Sequence, residues 1–254
     1  EGVMVRLLNG STCRGNFLVG ADGARSLVRK SLPFAVESSA GITLECDLAV
    51  SDKFLAAYRG QIHLSYGGIP GGYAWIFPKS NYLSVGIGSF TRKVKGLKKL
   101  FQRFCREMGL SLPEKIRCRG AVIPGASGRA VTLHTERAVL VGDAAGLVDP
   151  FSGEGIFYAL KSGRLAAEAI LASAGEPGTL ALYTRMINTE MLPSLRYAGR
   201  IARIVYSLTP VVHQLVTANP EIGRKLIEVL FGRDTYEQLW QYLSQRYLLF
   251  RLAP

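Results

Sequence analysis

Two aspartates set at the ends of apolar runs carry the chemistry this sequence offers. One lies in Phe17-Leu18-Val19-Gly20-Ala21-Asp22-Gly23-Ala24-Arg25-Ser26, the other in Ala138-Val139-Leu140-Val141-Gly142-Asp143-Ala144-Ala145-Gly146. Each apolar run reads as a buried strand, and the Asp follows where the strand ends and backbone can meet a ligand. A carboxylate so placed can accept a hydrogen bond from a sugar or ribityl hydroxyl. Beyond Asp143 comes Pro150-Phe151-Ser152-Gly153-Glu154-Gly155-Ile156, after which Ala159, Leu160, Gly163, Ala167, Ile170 and Leu171 recur at helical spacing. That spacing predicts a helix capped by Ser152 or Gly153 and running to about Ser173. Its first turn would aim N–H groups outward, carry about half a positive charge and favour anionic oxygens.

An isolated Gly-Asp after a strand is also what an ordinary turn looks like, with glycines serving close packing. Two such turns in order point to one site and suit a flavin. Together they resemble the second and third flavin fingerprints of the FAD-dependent oxidoreductases built like para-hydroxybenzoate hydroxylase. Aromatic hydroxylases of that superfamily carry a His after Gly-Asp-Ala-Ala, where this chain has Gly146. The run from Pro150 through Gly153-Glu154-Gly155-Ile156, with Ser162-Gly163, is similar to the geranylgeranyl reductase family. So is Gly72-Tyr73-Ala74-Trp75-Ile76-Phe77-Pro78-Lys79 with Leu83-Ser84-Val85-Gly86-Ile87-Gly88, which matches that family's Tyr-x-Trp-x-Phe-Pro-Lys signature and following strand. The resemblance spans nearly the whole chain.

The resemblance implies FAD as cofactor, bound in part by Asp22, Gly23, Gly142, Asp143, Pro150, Gly153, Gly155 and Ile156. Asp143 would hold the ribityl chain, and Gly155-Ile156 would face the flavin ring. Tyr73, Trp75, Phe77 and Pro78 would shape a hydrophobic tunnel for an isoprenoid lipid. The implied reaction is reduction of C=C bonds, with hydride from reduced flavin and the alkene protonated before or along with its delivery. The electron donor would be a ferredoxin or a reduced nicotinamide. Tyr73 opens the aromatic signature and is a candidate proton donor, but an aromatic in a strand more often serves as wall; the catalytic acid stays unassigned. Alternatives are a quinone-linked dehydrogenase or monooxygenase of the same fold, or a non-catalytic lipid-binding fragment.

The family's first fingerprint, Gly-x-Gly-x-x-Gly between a strand and a helix, has no counterpart. The nearest cluster, Gly67-Gly68-Ile69-Pro70-Gly71-Gly72, has the wrong spacing, contains Pro and precedes a strand. The chain opens on Glu1 and runs directly into the strand-like Val3 to Leu8, so the expectation is a fragment of a longer protein. Adenosine and most pyrophosphate contacts would then lie upstream, and only part of the FAD site would be present.

The elements that must position these residues read as α/β plus α+β. An incomplete FAD-binding Rossmann-like domain is expected at residues 1–32 and 128–174. An antiparallel-sheet substrate domain follows at 33–127, and a C-terminal helical region at 175–254. Asn9-Gly10, between Val3–Leu8 and Cys13–Val19, signals a hairpin. Strands are expected at Gly41–Val50, Gln61–Tyr66, Tyr73–Phe77, Tyr82–Gly88 and Ile116–Ile123, interrupted by one amphipathic helix whose apolar face holds Leu97, Leu100, Phe101, Phe104, Cys105 and Met108. Helices punctuated by Pro177, Pro193, Pro210 and Pro220 follow, and Gly232 with Asp234 looks like a stop and a new cap for a last helix through Leu243.

A chain of 254 residues, 48% of them hydrophobic, can bury a sizeable core. It has no stretch of eighteen uninterrupted apolar residues, so a spanning helix is not expected. Cys13, Cys46, Cys105 and Cys118 lack metal-ligand spacing, so no metal is expected, and they read as buried or free thiols in a reducing cytoplasm. Of the net charge of +12, +8 falls between Arg92 and Arg119, where ten basic residues face only Glu107 and Glu114. A solvated helix face explains this, as does peripheral contact with an anionic membrane, where each nearby Lys or Arg contributes about 1 kcal/mol. A ferredoxin would dock on the same charge. No nucleic-acid motif accompanies it. The expected location is cytoplasmic, with peripheral membrane contact as its variant.

Overall fold

The computed structural model describes residues 2–91, 94–173 and 179–251. Arg92 and Lys93 of the basic stretch, Pro177, and the expected boundary at 174–175 lie outside the described residues. The architecture is the mixed α/β one expected, with an antiparallel sheet and a helical C-terminus. The chain forms two compact units: Glu1–Ser39, Pro124–Ile201 and Lys225–Pro254 make the first, Ala40–Ile123 and Ala202–Arg224 the second.

In the first unit, β1 (Val3–Arg6) and β2 (Thr12–Gly15) pair antiparallel across the Asn9-Gly10 turn. Asn9 Oδ1 accepts hydrogen bonds from the Ser11 amide and hydroxyl there. Next, β3 (Leu18–Gly20) lies parallel to β9 (Ala138–Leu140), which is entered from β8 (Cys118–Ala126). The short helix α1 (Leu27–Ser31) follows β3, and α4 (Ile156–Ala172) follows β9. Val139, Leu140 and Leu147 are buried with Leu165 and Ala169 of α4, and with Leu180, Tyr183 and Ile187 at the start and on the inner face of α5 (Ala181–Glu190).

In the second unit, a five-stranded sheet has the order β5-β6-β7-β4-β8. It contains β4 (Ser38–Leu48), β5 (His63–Tyr66), β6 (Gly72–Pro78) and β7 (Leu83–Ser89). The period-two pattern of β6 sends Ala74 and Ile76 to one face, where they pair with Ile87 and Val85 and are buried with Phe101, Phe104 and Cys105 of α3 (Leu97–Glu107). The apolar face expected for α3 is therefore the buried one.

Several expectations are corrected. A second helix, α2 (Asp52–Tyr58), interrupts the strands, with Ser51 Oγ accepting from the Phe54 amide at its start. Cys46 and Cys118 are joined by a disulfide, so they are not free thiols; they lie on neighbouring strands with Cα atoms 4.4 Å apart, although 72 positions separate them in sequence. Cys13 and Cys105 are free, exposed and buried respectively. The C-terminal helices are α6 (Leu192–Ser207), α7 (Thr209–Ala218), α8 (Pro220–Leu230), α9 (Tyr236–Arg246) and α10 (Leu248–Arg251). Thr235, rather than Asp234, caps α9 in a reciprocal box with Gln238, while Asp234 pairs with Lys225 at 3.8 Å. Among the described residues, no helix is long and apolar enough to cross a membrane.

Candidate functional site

The parallel register of β3 and β9 brings the two aspartate turns to one end of one sheet. Gly20 lies opposite Leu140, and the Val141 amide donates to the Gly20 carbonyl at 3.0 Å. Both turns thus follow the carboxyl ends of adjacent parallel strands, the edge at which α/β sheets take their ligands.

The two carboxylates do different work. Asp22 Oδ2 accepts from the Leu27 and Val28 amides at 2.6 and 3.1 Å, and Ser26 Oγ accepts from the Arg29 amide at 2.9 Å, so the turn is spent on starting α1. Burial is the largest single influence on the Asp22 carboxyl and pushes it up, but hydrogen bonds from Ser26, Val28 and Leu27 together outweigh it and leave the pKa lowered. Asp143 instead is half-buried and has no hydrogen-bond partner among the described residues, and burial raises its pKa. A Cβ on Gly155 would stand 3.3 Å from Asp143 Oδ1, so the bare glycine leaves the carboxylate open.

Helix α4 is clamped to the second turn. The Gly142 amide donates to Ser162 Oγ at 2.9 Å, and Ser162 donates in turn to the Ala159 carbonyl at 3.1 Å. Gly142 has φ +53° and Gly146 φ +69°; Cβ atoms there would come within 2.9 Å of Ala159 Cβ and of Ser38 Cβ. Gly146, the position that departs from the hydroxylases, thus has a steric reason of its own. Arg29 ties the two turns together by donating to the Ala144 carbonyl at 3.3 Å and the Ala24 carbonyl at 3.0 Å. Sequence reasoning passed over it, and no spacing marks it.

Asp149 was also passed over, although Asp-Pro-x-Ser is a turn-forming pattern. Its side chain is 3% exposed. Oδ1 accepts from the Phe151 and Ser152 amides at 2.7 and 3.1 Å, and Oδ2 accepts from the Tyr236 hydroxyl at 2.6 Å. Burial raises the Asp149 pKa against the pull of these donors. With the Asp149 amide donating to the Glu154 carbonyl and the Gly153 amide to the Asp149 carbonyl, Pro150 to Glu154 close into a loop. Ser152 and Gly153 therefore do not cap α4. Gly155 takes that position, and Glu154 Oε1 accepts from the Phe157 amide at 2.7 Å, so one first-turn donor expected to face an anion is already used. Ile156 and Leu160 point out to solvent.

These residues fit a flavin in two respects: Asp143 offers an unpartnered acceptor beside a glycine cradle, and Ile156 offers an apolar contact at the same helix start. They fit a pyrophosphate less well, because Glu154 puts a carboxylate where that anion would approach.

The signature aromatics stand on the sheet face away from Ala74 and Ile76. Trp75 lies opposite Gly86, and Tyr73 opposite Gly88. Ring centroids follow one another from Phe77 to Trp75 at 6.1 Å, Tyr73 at 5.8 Å and Tyr66 at 5.4 Å, then Tyr206 at 6.3 Å and Phe90 at 6.2 Å. Pro78 pairs with Leu83 at the strand end. Trp75 is buried, and its Nε1–H has no partner among the described residues. On the β4–β8 side, Arg119 pairs with Glu45 at 3.3 Å and Asp47 at 2.9 Å. A Cβ on Gly86 would overlap the Trp75 indole, 2.2 Å from Cζ2. Gly86→Ala is therefore expected to displace Trp75 and cost about 1–3 kcal/mol, the usual range for overpacking. An unchanged near-ultraviolet tryptophan spectrum and an unchanged unfolding midpoint would refute this.

A parallel-strand unit with acidic turns at its ligand edge, joined in one chain to an antiparallel sheet with an aromatic face, defines a cofactor-binding α/β protein. The family model described as FAD binding domain matches residues 3–182. An uncharacterised protein of Methanosarcina barkeri (strain Fusaro) is 34% identical over 83% of this chain and 54% of its own length. The chloroplastic geranylgeranyl diphosphate reductase of Oryza sativa subsp. japonica is 32% identical over 93% of this chain and 49% of its own length. A geranylgeranyl bacteriochlorophyll reductase-like protein from Thermoplasma acidophilum shares the fold, with a TM-score of 0.61, 21% identity and coverage of 90% of this chain and 66% of that one. The chain belongs to the FAD-binding domain family. It spans about half the length of the curated relatives it matches.

Proposed function

We propose that this chain is part of an FAD-dependent reductase of C=C bonds in isoprenoid, geranylgeranyl-type lipids. The observation that carries the reading is the run of neighbouring aromatics on the β5–β6 face, where the only buried side-chain polar atom left without a partner among the described residues is Trp75 Nε1. Such a face suits a long unsaturated hydrocarbon and keeps water from it. Tyr73, Trp75, Phe77 and Pro78 serve as its wall. Bound and reduced, FAD supplies the hydride. Asp143 accepts a ribityl hydroxyl, Gly155 keeps that approach open, and Ile156 packs on the ring. Asp22 and Gly23, with Gly142, Pro150 and Gly153, hold the turns that present them.

The FAD site is completed by residues beyond this chain. The exposed Leu160 and Leu171 of α4, with Leu27 of α1, support this as a surface for further flavin-domain structure. The electron donor is a ferredoxin or a reduced nicotinamide. Exposed Lys98, Lys99 and Arg106 on α3, with Lys115 and Arg117, support peripheral contact with an anionic membrane.

Re-oxidation of the full-length reduced protein, anaerobically by geranylgeranyl lipids or by quinones and separately by oxygen with a hydroxylatable aromatic, tests the reading. Turnover with the geranylgeranyl lipid alone is expected. Turnover only with quinone or with oxygen would replace the reading by the dehydrogenase or the monooxygenase, and a full-length protein that binds no flavin would leave a lipid-binding module.

A further inference from the structure

A cleft in the first unit, remote in sequence from the aspartate turns, is lined by cations and has no carboxylate among the described residues that line it. Its volume is about 430 Å³, and its lining is Arg200 of α6, Trp240, Ser244 and Gln245 of α9, and Phe250 and Arg251 of α10. The Arg200 guanidinium lies 5.5 Å from the ring centroids of both Tyr197 and Trp240. Phe250 meets Trp240 edge-on at 6.1 Å and steadies that platform. Among the described residues Arg200 has no hydrogen bond and no acidic partner. Arg251 is held from the other side: its Nε donates to the Ser244 carbonyl and its Nη2 to the Gln245 carbonyl, each at 3.2 Å, which fixes the guanidinium and leaves Nη1 unengaged among the described residues.

A guanidinium laid on aromatic rings keeps its in-plane N–H donors at its rim, where they can form two parallel bonds to an oxyanion. The Arg200 fork and the Nη1 end of Arg251, with the Gln245 carboxamide beside them, offer more donors than the two oxygens of a carboxylate can use, while the Ser244 hydroxyl donates to the Gln241 carbonyl at 3.3 Å. These donors suit a phosphoryl group. We propose that this cleft binds a phosphate monoester or diphosphate, with Arg200 and Arg251 as the cationic partners and Gln245 completing the donor set. The assignment rests on the cleft alone and stands whether or not the alkene reduction does.

Calorimetric titration of the full-length protein with inorganic diphosphate, and with acetate as control, tests it. Saturable diphosphate binding that weakens with salt is expected, with no acetate binding. Arg200→Gln and Arg251→Gln should each weaken it about tenfold, and the pair about a hundredfold, the scale of losing one or two charge-assisted contacts. Trp240→Phe, which keeps a ring under Arg200, should retain binding and remove the accompanying change in tryptophan emission. A short prenyl diphosphate and its free prenol separate the sources. Tighter binding of the prenyl diphosphate than of inorganic diphosphate assigns the site to a lipid headgroup, and equal binding assigns it to a free phosphorylated molecule. Absence of saturable diphosphate binding, or binding unaltered in both arginine variants while they unfold like the parent, would overturn the proposal.

Discussion

Asp149→Ala is expected to lower the stability of the fold by about 3–5 kcal/mol, a loss at the severe end for a single substitution. The variant would strand the Tyr236 hydroxyl and the Phe151 and Ser152 amides, all three now bonded to one buried carboxylate. Each buried donor left without an acceptor costs about 1–3 kcal/mol. For a domain of this size the unfolding midpoint should fall by on the order of 10 °C. Tyr236→Phe removes only one donor and should cost less, and the double variant should cost less than the sum, because the two side chains share one bond. The sign of the pH effect follows from the raised Asp149 pKa. A carboxyl whose folded pKa lies above its unfolded value is held ionised at a cost above that folded pKa, and the cost is relieved as pH falls through it. The alanine variant lacks this dependence, so its loss relative to the parent should be smaller at neutral pH than on the acid side, where the parent has been relieved of the cost. Additive thermal-melt losses in the double variant would show that the Tyr236–Asp149 bond is not coupled as described.

Asp143→Ala should act in the opposite way on stability and on cofactor binding. Its carboxylate is half-buried, unpartnered among the described residues and raised in pKa by that burial. Removing it spares a desolvation cost, so the flavin-free protein should unfold at the same temperature or slightly higher. Flavin affinity in the full-length protein should instead fall about ten- to a hundredfold, the equivalent of one hydroxyl-to-carboxylate bond of about 1.5–3 kcal/mol. Quenching of flavin fluorescence on titration, read beside a thermal melt, separates the two effects. Unchanged flavin affinity would remove Asp143 from the cofactor site, whatever the melt shows. Asp22→Ala should give the contrary pattern, because that carboxylate already caps α1 through the Leu27 and Val28 amides.

The two carboxylates show how much of the site could be read from sequence. In both turns an apolar run followed by an Asp was visible, and the parallel pairing of β3 with β9 places both at one sheet edge. That one carboxylate is spent as a cap while the other is left open depends on whether a helix start happens to follow within reach. Ser26, three residues before the Arg29 amide it accepts from, carried a readable cap signal. The start of α4 was displaced from Ser152 or Gly153 to Gly155 because Asp149 takes the Phe151 and Ser152 amides and is itself held by Tyr236, 87 positions away. The short α2 was overlooked because seven residues carry too little periodicity to stand out between strands. The Cys46–Cys118 bond required knowing that β4 and β8 are neighbours in the sheet.

By itself the sequence determined what local spacing can carry: strand–Asp–turn units, the aromatic signature in β6, the apolar face of α3, and the family to which these patterns belong. Tertiary structure alone decided what depends on partners far apart in the chain: which carboxylate is satisfied, the bridging by Arg29, the anchoring of Asp149, the glycine under Trp75 and the pairing of the cysteines. The physical reason is one of range. Helix and strand periods repeat within a few residues and imprint on neighbouring positions. A buried polar group must instead find its partner wherever the fold brings one, and no spacing in the sequence records that distance.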